Sequence, residues 1–529
     1  MPGLALKHKA VRGCLFLLAA VAVTALFRLH NPSIPGTDSF RHFRHAALYA
    51  QHGPFMSDYP WLPFSVVSRW ASDLWYGFHL LLIPFTYIPD PIFAIKLASI
   101  CETVVLLLML YVVMRRHQIV LDYAWPFVLF FFAPATLYGL LMTRPHVLTM
   151  ALAALLFSYL VTDSRRGAFV SSLLLSWVHV NFFWVVPVTV GVVGLAKLAC
   201  ERVWAWRCAL AALVGMTLGW LLRPHPVGSA KLLYVQLVEL TMARRHGVPL
   251  MYADELKPVP LPQIASGFLY VLLIWLAVTV IFLIGAATRR AGLSRRDHTL
   301  LWSSLALTVL FFAMTAFDTR RAVVLWMTFG VVFTAAAFSR LLDPTSRKEQ
   351  LLAQDTRGIL AACLGIVFLL MIGAAANQHL LTPGMWRGDA PTVMQGPGEW
   401  LKANARPDEI VFNVNWGDFQ TLFFWDPRNR YTSGLDPIFL YSFDHELYWK
   451  AHHLQTGEAT AYTWATPEPR PRRSEDTYTV LTRDFHAGYV MVRRRDPRYQ
   501  ALWYYLQSDP RFQLAFEDQG YAIFRLGRG

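Results

Sequence analysis

The sequence predicts an α-helical polytopic membrane protein of about eleven transmembrane helices, with a C-terminal α/β extracytoplasmic domain. Three observations predict it. Of 529 residues, 55% are hydrophobic and only 16% are charged, against roughly 25% charged in a soluble domain. Apolar runs approaching the ~20 residues that cross a bilayer recur between residues 12 and 376. Beyond residue 376 the chain turns polar, rich in Arg and Asp, and mixes strand with helix signals.

The candidate spans are 12–28, 93–114, 121–142, 146–162, 168–182, 183–200, 208–222, 267–287, 299–317, 323–341 and 358–376. The first follows Lys7, Lys9 and Arg12. No clean small-residue cleavage site follows it, so it reads as an uncleaved span. Cytoplasmic loops collect Lys and Arg. With the N-terminus inside, the inside loops hold Arg115 and Arg116, Arg165 and Arg166, Arg202 and Arg207, Arg289, Arg290, Arg295 and Arg296, then Arg340, Arg347 and Lys348. Every second loop is basic. An odd number of spans then puts the C-terminus outside.

The resulting organisation is a transmembrane module over 1–376 and an outer α/β domain over 377–529. Two long outer loops, 29–92 and 223–266, belong to the module. Residues 75–88 are too short and too awkwardly placed to span, and read as a helix at the membrane surface. In the outer domain 410–414, 477–481, 489–492 and 512–516 read as strands, with 521–524 as a hairpin partner. Segments 397–405, 436–453 and 497–508 read as helices, and 467–473 as a loop.

The formal charge is +14. In a soluble protein that would suggest nucleic acid, but here the basic inside loops account for it, and no nucleic-acid partner is expected. The five cysteines lie in or beside apolar runs and form no CxxC, so no disulfide framework is predicted. There is no phosphate-binding glycine loop and no dinucleotide fingerprint. All the long loops are expected outside, away from the cytoplasmic nucleotide pool.

The first outer loop carries Gly36-Thr37-Asp38-Ser39-Phe40-Arg41-His42-Phe43-Arg44-His45. A helix starting near Ser39 would make Asp38 its N-cap. The functional reading makes Asp38 a general base or a metal ligand at the membrane surface, with Arg41 and His42 beside it. Asp58 and Asp73 follow in the same loop, each readable as a cap or turn residue. Short outer loops should be poor in Arg, yet Arg144 and His146 stand in one, and Arg320 and Arg321 in another. Cations at that depth are paired or functional, and a phosphate suits Arg because it accepts two parallel hydrogen bonds. Asp254 and Glu255 are a further acidic pair, readable as the start of a loop. His42, His45, His79, His146, His179 and His225 fall near the outer face and admit a divalent cation, without metalloprotease spacing.

The layout resembles the GT-C superfamily of integral-membrane glycosyltransferases. That resemblance rests on the N-in first span, the long first outer loop with Asp38 near its start, and the C-terminal outer region. Asp38-Ser39-Phe40-Arg41 is similar to the oligosaccharyltransferase pattern of Asp, aromatic, then Arg, although the paired acidic residues of that pattern are absent. The resemblance implies a catalytic Asp38 and an arginine, Arg320 or Arg321, on the donor phosphate. It implies a polyprenyl-phosphate-linked sugar as donor, a glycan, lipid or protein as acceptor, and the bilayer as surroundings. It also admits Mg or Mn, as in oligosaccharyltransferases. A bacterial inner membrane, with the outer face in the periplasm, is the expected location. Asn413-Val414-Asn415-Trp416-Gly417-Asp418 and Gly434-Leu435-Asp436 resemble the outer domain of bacterial multi-span glycosyltransferases. Trp416, Asp418 and Asp436 are there either turn and cap residues or acceptor contacts. The alternatives to sugar transfer from a lipid phosphate are oligosaccharide transfer from a lipid diphosphate, and a transporter or flippase of lipid-linked sugars.

Overall fold

The computed structural model describes residues 2–56, 59–131, 134–287, 293–341, 390–468 and 474–527, and the chain is mostly helical. Asp58 and the expected span 358–376 lie outside the described residues. Two compact units are present. One comprises Met1–Pro35, Lys96–Leu222 and Asp254–Gly388, the other Gly36–Ile95, Arg223–Ala253 and Asp389–Gly529.

The first unit is built of apolar helices. Among the described residues five are long and apolar enough to cross a membrane: Val11–His30, Pro91–Arg116, Val180–Glu201, Arg295–Phe317 and Arg320–Arg340. Leu261–Gly267 and Val271–Ile284, bent by 91°, make a sixth if they form one broken span, and Pro145–Val161 and Trp206–Leu221 are shorter apolar helices. Within the expected span 121–142 the described residues form the helical segments Trp125–Phe131 and Pro134–Leu140. Leu195, Leu218, Leu273, Ile281 and Val309 remain exposed, as suits helices whose surroundings are lipid. Where the helices Arg165–Val178 and Trp206–Leu221 touch, a Cβ on Gly219 would stand 2.1 Å from the Leu173 carbonyl oxygen. Only glycine permits that approach. Ser294 and Asp297 cap the helix Arg295–Phe317 reciprocally, and Asp297 also accepts from Arg340 Nε at 2.6 Å.

The second unit contains a mixed sheet. Its strands are β1 (Ile410–Asn413), β2 (Arg430–Tyr431), β5 (Ala487–Arg493), β6 (Phe512–Glu517) and β7 (Tyr521–Leu526), in the order β2-β1-β5-β7-β6. The two strands between them in sequence, β3 (Tyr462–Thr463) and β4 (Glu475–Asp476), form a separate antiparallel ribbon. β1 pairs in parallel with β2 and β5, and β7 pairs antiparallel with β5 and β6. The expected hairpin is therefore β6–β7. The expected strand 477–481 is helical instead, because Asp476 Oδ2 accepts from both Thr479 N and Thr479 Oγ1 at 2.9 Å and starts a turn. Segment 75–88 is helical, as Tyr76–Leu82 followed by the tighter turn Ile83–Tyr87.

Residues 36–95 share a core with this sheet. Leu48 and Leu62 pack with Leu401, Val411, Phe419, Phe423, Tyr431 and Ile523. Phe40 meets Phe424 edge-on at 5.2 Å, and Arg44 Nε donates to the Phe424 carbonyl at 2.7 Å. Tyr431 N donates to the Trp61 carbonyl at 2.7 Å.

Candidate functional site

Asp38 is the first residue of the helix Asp38–His52, with Thr37 in the cap position. The expected N-cap role therefore falls one residue earlier, and the Asp38 carboxylate stays at the helix start, where the macrodipole favours negative charge. It is partly exposed and stands 3.7 Å from Arg41 NH2, one turn on. The Arg41 guanidinium lies 4.3 Å from the centroid of Trp75, within cation–π range.

From Arg41 a chain of hydrogen bonds runs inward. Arg41 NH2 is 3.2 Å from His42 Nε2, His42 Nδ1 is 2.8 Å from His79 Nε2, and His79 Nδ1 is 2.6 Å from Asp73 Oδ2. A guanidinium only donates and a carboxylate only accepts. With neutral rings, that fixes both tautomers. Arg41 donates to His42 Nε2, His42 donates to His79, and His79 donates to Asp73. Tyr49 also donates to Asp73 Oδ2 at 3.0 Å and is 2.9 Å from the Tyr59 hydroxyl. Burial alone would push the Asp73 carboxyl up, but His79, His45 and the bond from Trp75 N more than reverse this and hold it below the carboxylate range. Burial, then the adjacent His79, pushes His45 down to about 3. Arg223 NH1 donates to the Asp73 carbonyl at 3.3 Å. Arg41, His45, Tyr59, Trp61, Asp73 and Trp75 line a small, largely apolar cleft of about 40 Å³.

The second cluster lies in the other unit. Arg144 precedes Pro145, the first residue of the helix Pro145–Val161, and is extended, as a residue before proline must be. Its NH2 donates to Glu255 Oε2 at 3.0 Å, and its backbone N donates to Glu102 Oε2 at 3.2 Å. Arg321 lies in the tight turn Arg320–Ala322, capped by the Thr319 hydroxyl. Its Nε and NH2 both donate to Glu255 Oε1, the former at 3.1 Å. Burial would raise the Glu255 carboxyl, but Arg144 and Arg321 together hold it well below its ordinary value.

Solved structures share this fold. ArnT from Cupriavidus metallidurans, in the apo state, aligns over 98% of each chain with a TM-score of 0.55 and 14% identity. The same protein bound to undecaprenyl phosphate gives 0.55 and 14% over 97% of each chain. The arabinofuranosyltransferase AftD from Mycobacteria gives 0.52 and 16%, over 97% of this chain and 40% of its own. The Archaeoglobus fulgidus oligosaccharyltransferase, in the apo form, gives 0.53 and 10%, over 93% and 71%. The chain has the GT-C fold. No protein-family model matches the sequence, and no curated protein matches it.

In this GT-C fold the remaining sequence-predicted residues are dispersed. Arg320 is exposed, and its backbone N donates to the Lys257 carbonyl at 2.8 Å. His146 Nε2 donates to the Gly139 carbonyl at 3.0 Å. Asp254 is exposed and pairs with Lys257 at 2.7 Å. Trp416 and Asp418 form the turn after β1, and Asp418 accepts from Arg493 Nε at 2.9 Å. Asp436 is buried beside the turn at Gly434. Tyr49, Tyr59 and Arg223 were not legible as site residues, since no motif or spacing connects them to Asp73.

Two groups of side chains among the described residues bring three ligand atoms within 4.8 Å: His45, Asp73 and His79, and His452, His453 and Glu458. Neither includes Asp38. His45 Nε2 is buried with no partner among the described residues. Both nitrogens of His79 are already engaged. Two imidazoles and one carboxylate suit zinc, whereas Mg and Mn prefer oxygen donors. The Mg or Mn centre implied by the oligosaccharyltransferase resemblance does not fit this cluster.

Proposed function

We propose that the protein is a membrane glycosyltransferase of the bacterial inner membrane. It moves a sugar from a polyprenyl-phosphate-linked donor to a glycan, lipid or protein acceptor on the extracytoplasmic face. Eleven spans, a cytoplasmic N-terminus and a periplasmic outer region over 377–529 complete the reading. The observation that carries it is the convergence of Arg144 and Arg321 on one two-oxygen anion. It stands in a fold shared with an ArnT solved with undecaprenyl phosphate bound.

Asp38 takes the proton of the acceptor hydroxyl as general base. The acceptor oxygen attacks the anomeric carbon. The bond from that carbon to the phosphate oxygen breaks, and its electron pair leaves on the lipid phosphate, so the anomeric centre inverts. Arg144 and Arg321 stabilise the charge that gathers on the phosphate. Arg41, fixed by the Asp73 chain, supports the Asp38 carboxylate. Transfer from a lipid diphosphate, the oligosaccharyltransferase chemistry, is the second reading, and a metal requirement would favour it.

The test is release of sugar from synthetic polyprenyl-phosphate hexoses and pentoses by purified protein, wild type beside Asp38→Asn. Turnover that falls by about a hundredfold or more in the variant supports the reading. Near-normal turnover of Asp38→Asn removes the base assignment. Absence of turnover with every lipid-phosphate donor, from folded protein, removes the donor assignment.

A further inference from the structure

The anion held by Arg144 and Arg321 is supplied by the chain itself. Glu255 sits in the single turn Asp254–Leu256, and its carbonyl accepts from Thr319 Oγ1 at 3.0 Å. Its two carboxylate oxygens take three bonds from the two guanidinium groups. The cluster is open rather than sealed: Arg144 and Arg321 are 21% exposed and Glu255 is 28% exposed. The neighbouring acid, Asp254, turns to Lys257 instead. Two guanidinium groups thus converge on one carboxylate. Arg144 gives one N–H to Oε2 and Arg321 gives two to Oε1, and a guanidinium serves phosphate as readily as carboxylate.

We infer that Glu255 is an internal competitor for the donor phosphate, displaced when a lipid phosphate binds and returning when it leaves. This rests on the proposed role of Arg144 and Arg321. The chemistry of exchange is matched. A phosphodiester carries one negative charge over two non-bridging oxygens, as a carboxylate does, so the donor replaces Glu255 without changing the charge of the cluster. The product is a phosphate monoester, which carries a charge of about −1.5 to −2 near pH 7. It would hold the arginines more strongly than the donor did. A tethered carboxylate that re-enters the fork opposes that retention and speeds release.

The experiment measures the affinity of a short synthetic polyprenyl phosphate for purified full-length protein in detergent. Wild type is compared with Glu255→Gln, Glu255→Asp, Arg144→Gln and Arg321→Gln. Competition predicts that Glu255→Gln binds about tenfold more tightly, which is about 1.4 kcal/mol. Glu255→Asp keeps the charge but shortens the reach, so it is expected between wild type and Glu255→Gln, and it serves if the glutamine variant fails to fold. Single-turnover sugar transfer should persist in Glu255→Gln while steady-state turnover becomes limited by product release. Unchanged or weaker affinity in both Glu255 variants, with weaker affinity in Arg144→Gln and Arg321→Gln, would overturn the inference while leaving the phosphate site intact. Unchanged affinity in the arginine variants would instead remove the phosphate site itself.

Discussion

His79 Nδ1 lies 2.6 Å from Asp73 Oδ2, with the two side chains 0% and 3% exposed. This buried bond closes a one-way chain of donors that begins at Arg41. Asp73→Asn puts an amide where two donors converge. Its single oxygen cannot serve both positions, so either Trp75 N or the pair His79 and Tyr49 loses its acceptor, and leaving a buried donor unsatisfied costs about 1–3 kcal/mol. The expected result is a lower unfolding temperature together with reversed or mixed tautomers of His42 and His79. The latter is read by nitrogen NMR of labelled histidine. Unchanged imidazole signals would show that Asp73 does not set the direction of the chain.

The same pocket makes stability depend on pH. His45 has an ordinary value of 6.5 and is pushed down to about 3 by burial and by His79. Between those values the unfolded chain binds a proton that the folded protein does not. The stabilisation from neutral His45 is therefore complete above pH 6.5 and is lost as pH falls toward 3, at up to about 1.4 kcal/mol per unit. Wild type should lose more thermal stability than His45→Gln on going from pH 7.5 to 5.0. Parallel losses would remove His45 as the source. The Asp73 contribution has the same sign but enters only below its ordinary value of 3.8.

Arg320 and Arg321 are adjacent in sequence, and the fold separates them. Arg321 holds Glu255, while Arg320 is exposed. Arg321→Gln removes a two-point contact to an anion and should raise the KM for a polyprenyl-phosphate donor by about ten- to a hundredfold, the scale of a charged hydrogen bond of ~1.5–3 kcal/mol. Arg320→Gln should stay within about twofold. A larger effect at Arg320 would transfer the anion contact to it. Turnover that survives exhaustive EDTA treatment would favour the lipid-phosphate donor, and its loss with recovery on adding Mg or Mn would favour the diphosphate reading.

Local physics made part of this architecture legible. The strand around Val411 and the pair Phe512–Glu517 and Tyr521–Leu526 follow from short apolar alternation between turns. Thr477 to Leu481 carries the same β-branched signal, yet the capping bonds of Asp476 outweigh propensity there. Asp73 does act as the turn residue it resembles, through Oδ1 to Trp75 N at 2.8 Å. Its other oxygen meets His79 only because the intervening chain turns back. Glu255 read as the opening of a loop, since its partners are 66 and 111 residues away. The visible trace was on the partners' side: arginines in short loops between apolar segments.

Gly434 follows β2 and ties the five-stranded sheet to the helix Phe419–Trp425. A Cβ at this position would stand 2.3 Å from Cγ and 2.9 Å from Cβ of Phe419. Phe419 is buried and stacks on Phe423 at 5.3 Å, so it cannot rotate aside without opening the core. The next residue, Leu435, already has a φ of 58°, which leaves the turn little freedom to absorb the strain. Overpacking of this kind costs about 1–3 kcal/mol. Gly434→Ala should therefore lower the unfolding temperature of the purified protein, and Phe419→Leu in the same chain should recover part of the loss by vacating the ring. Equal stability of Gly434→Ala and wild type would show that the turn relaxes freely, and Asp436 beside it would then be positioned by something other than this packing.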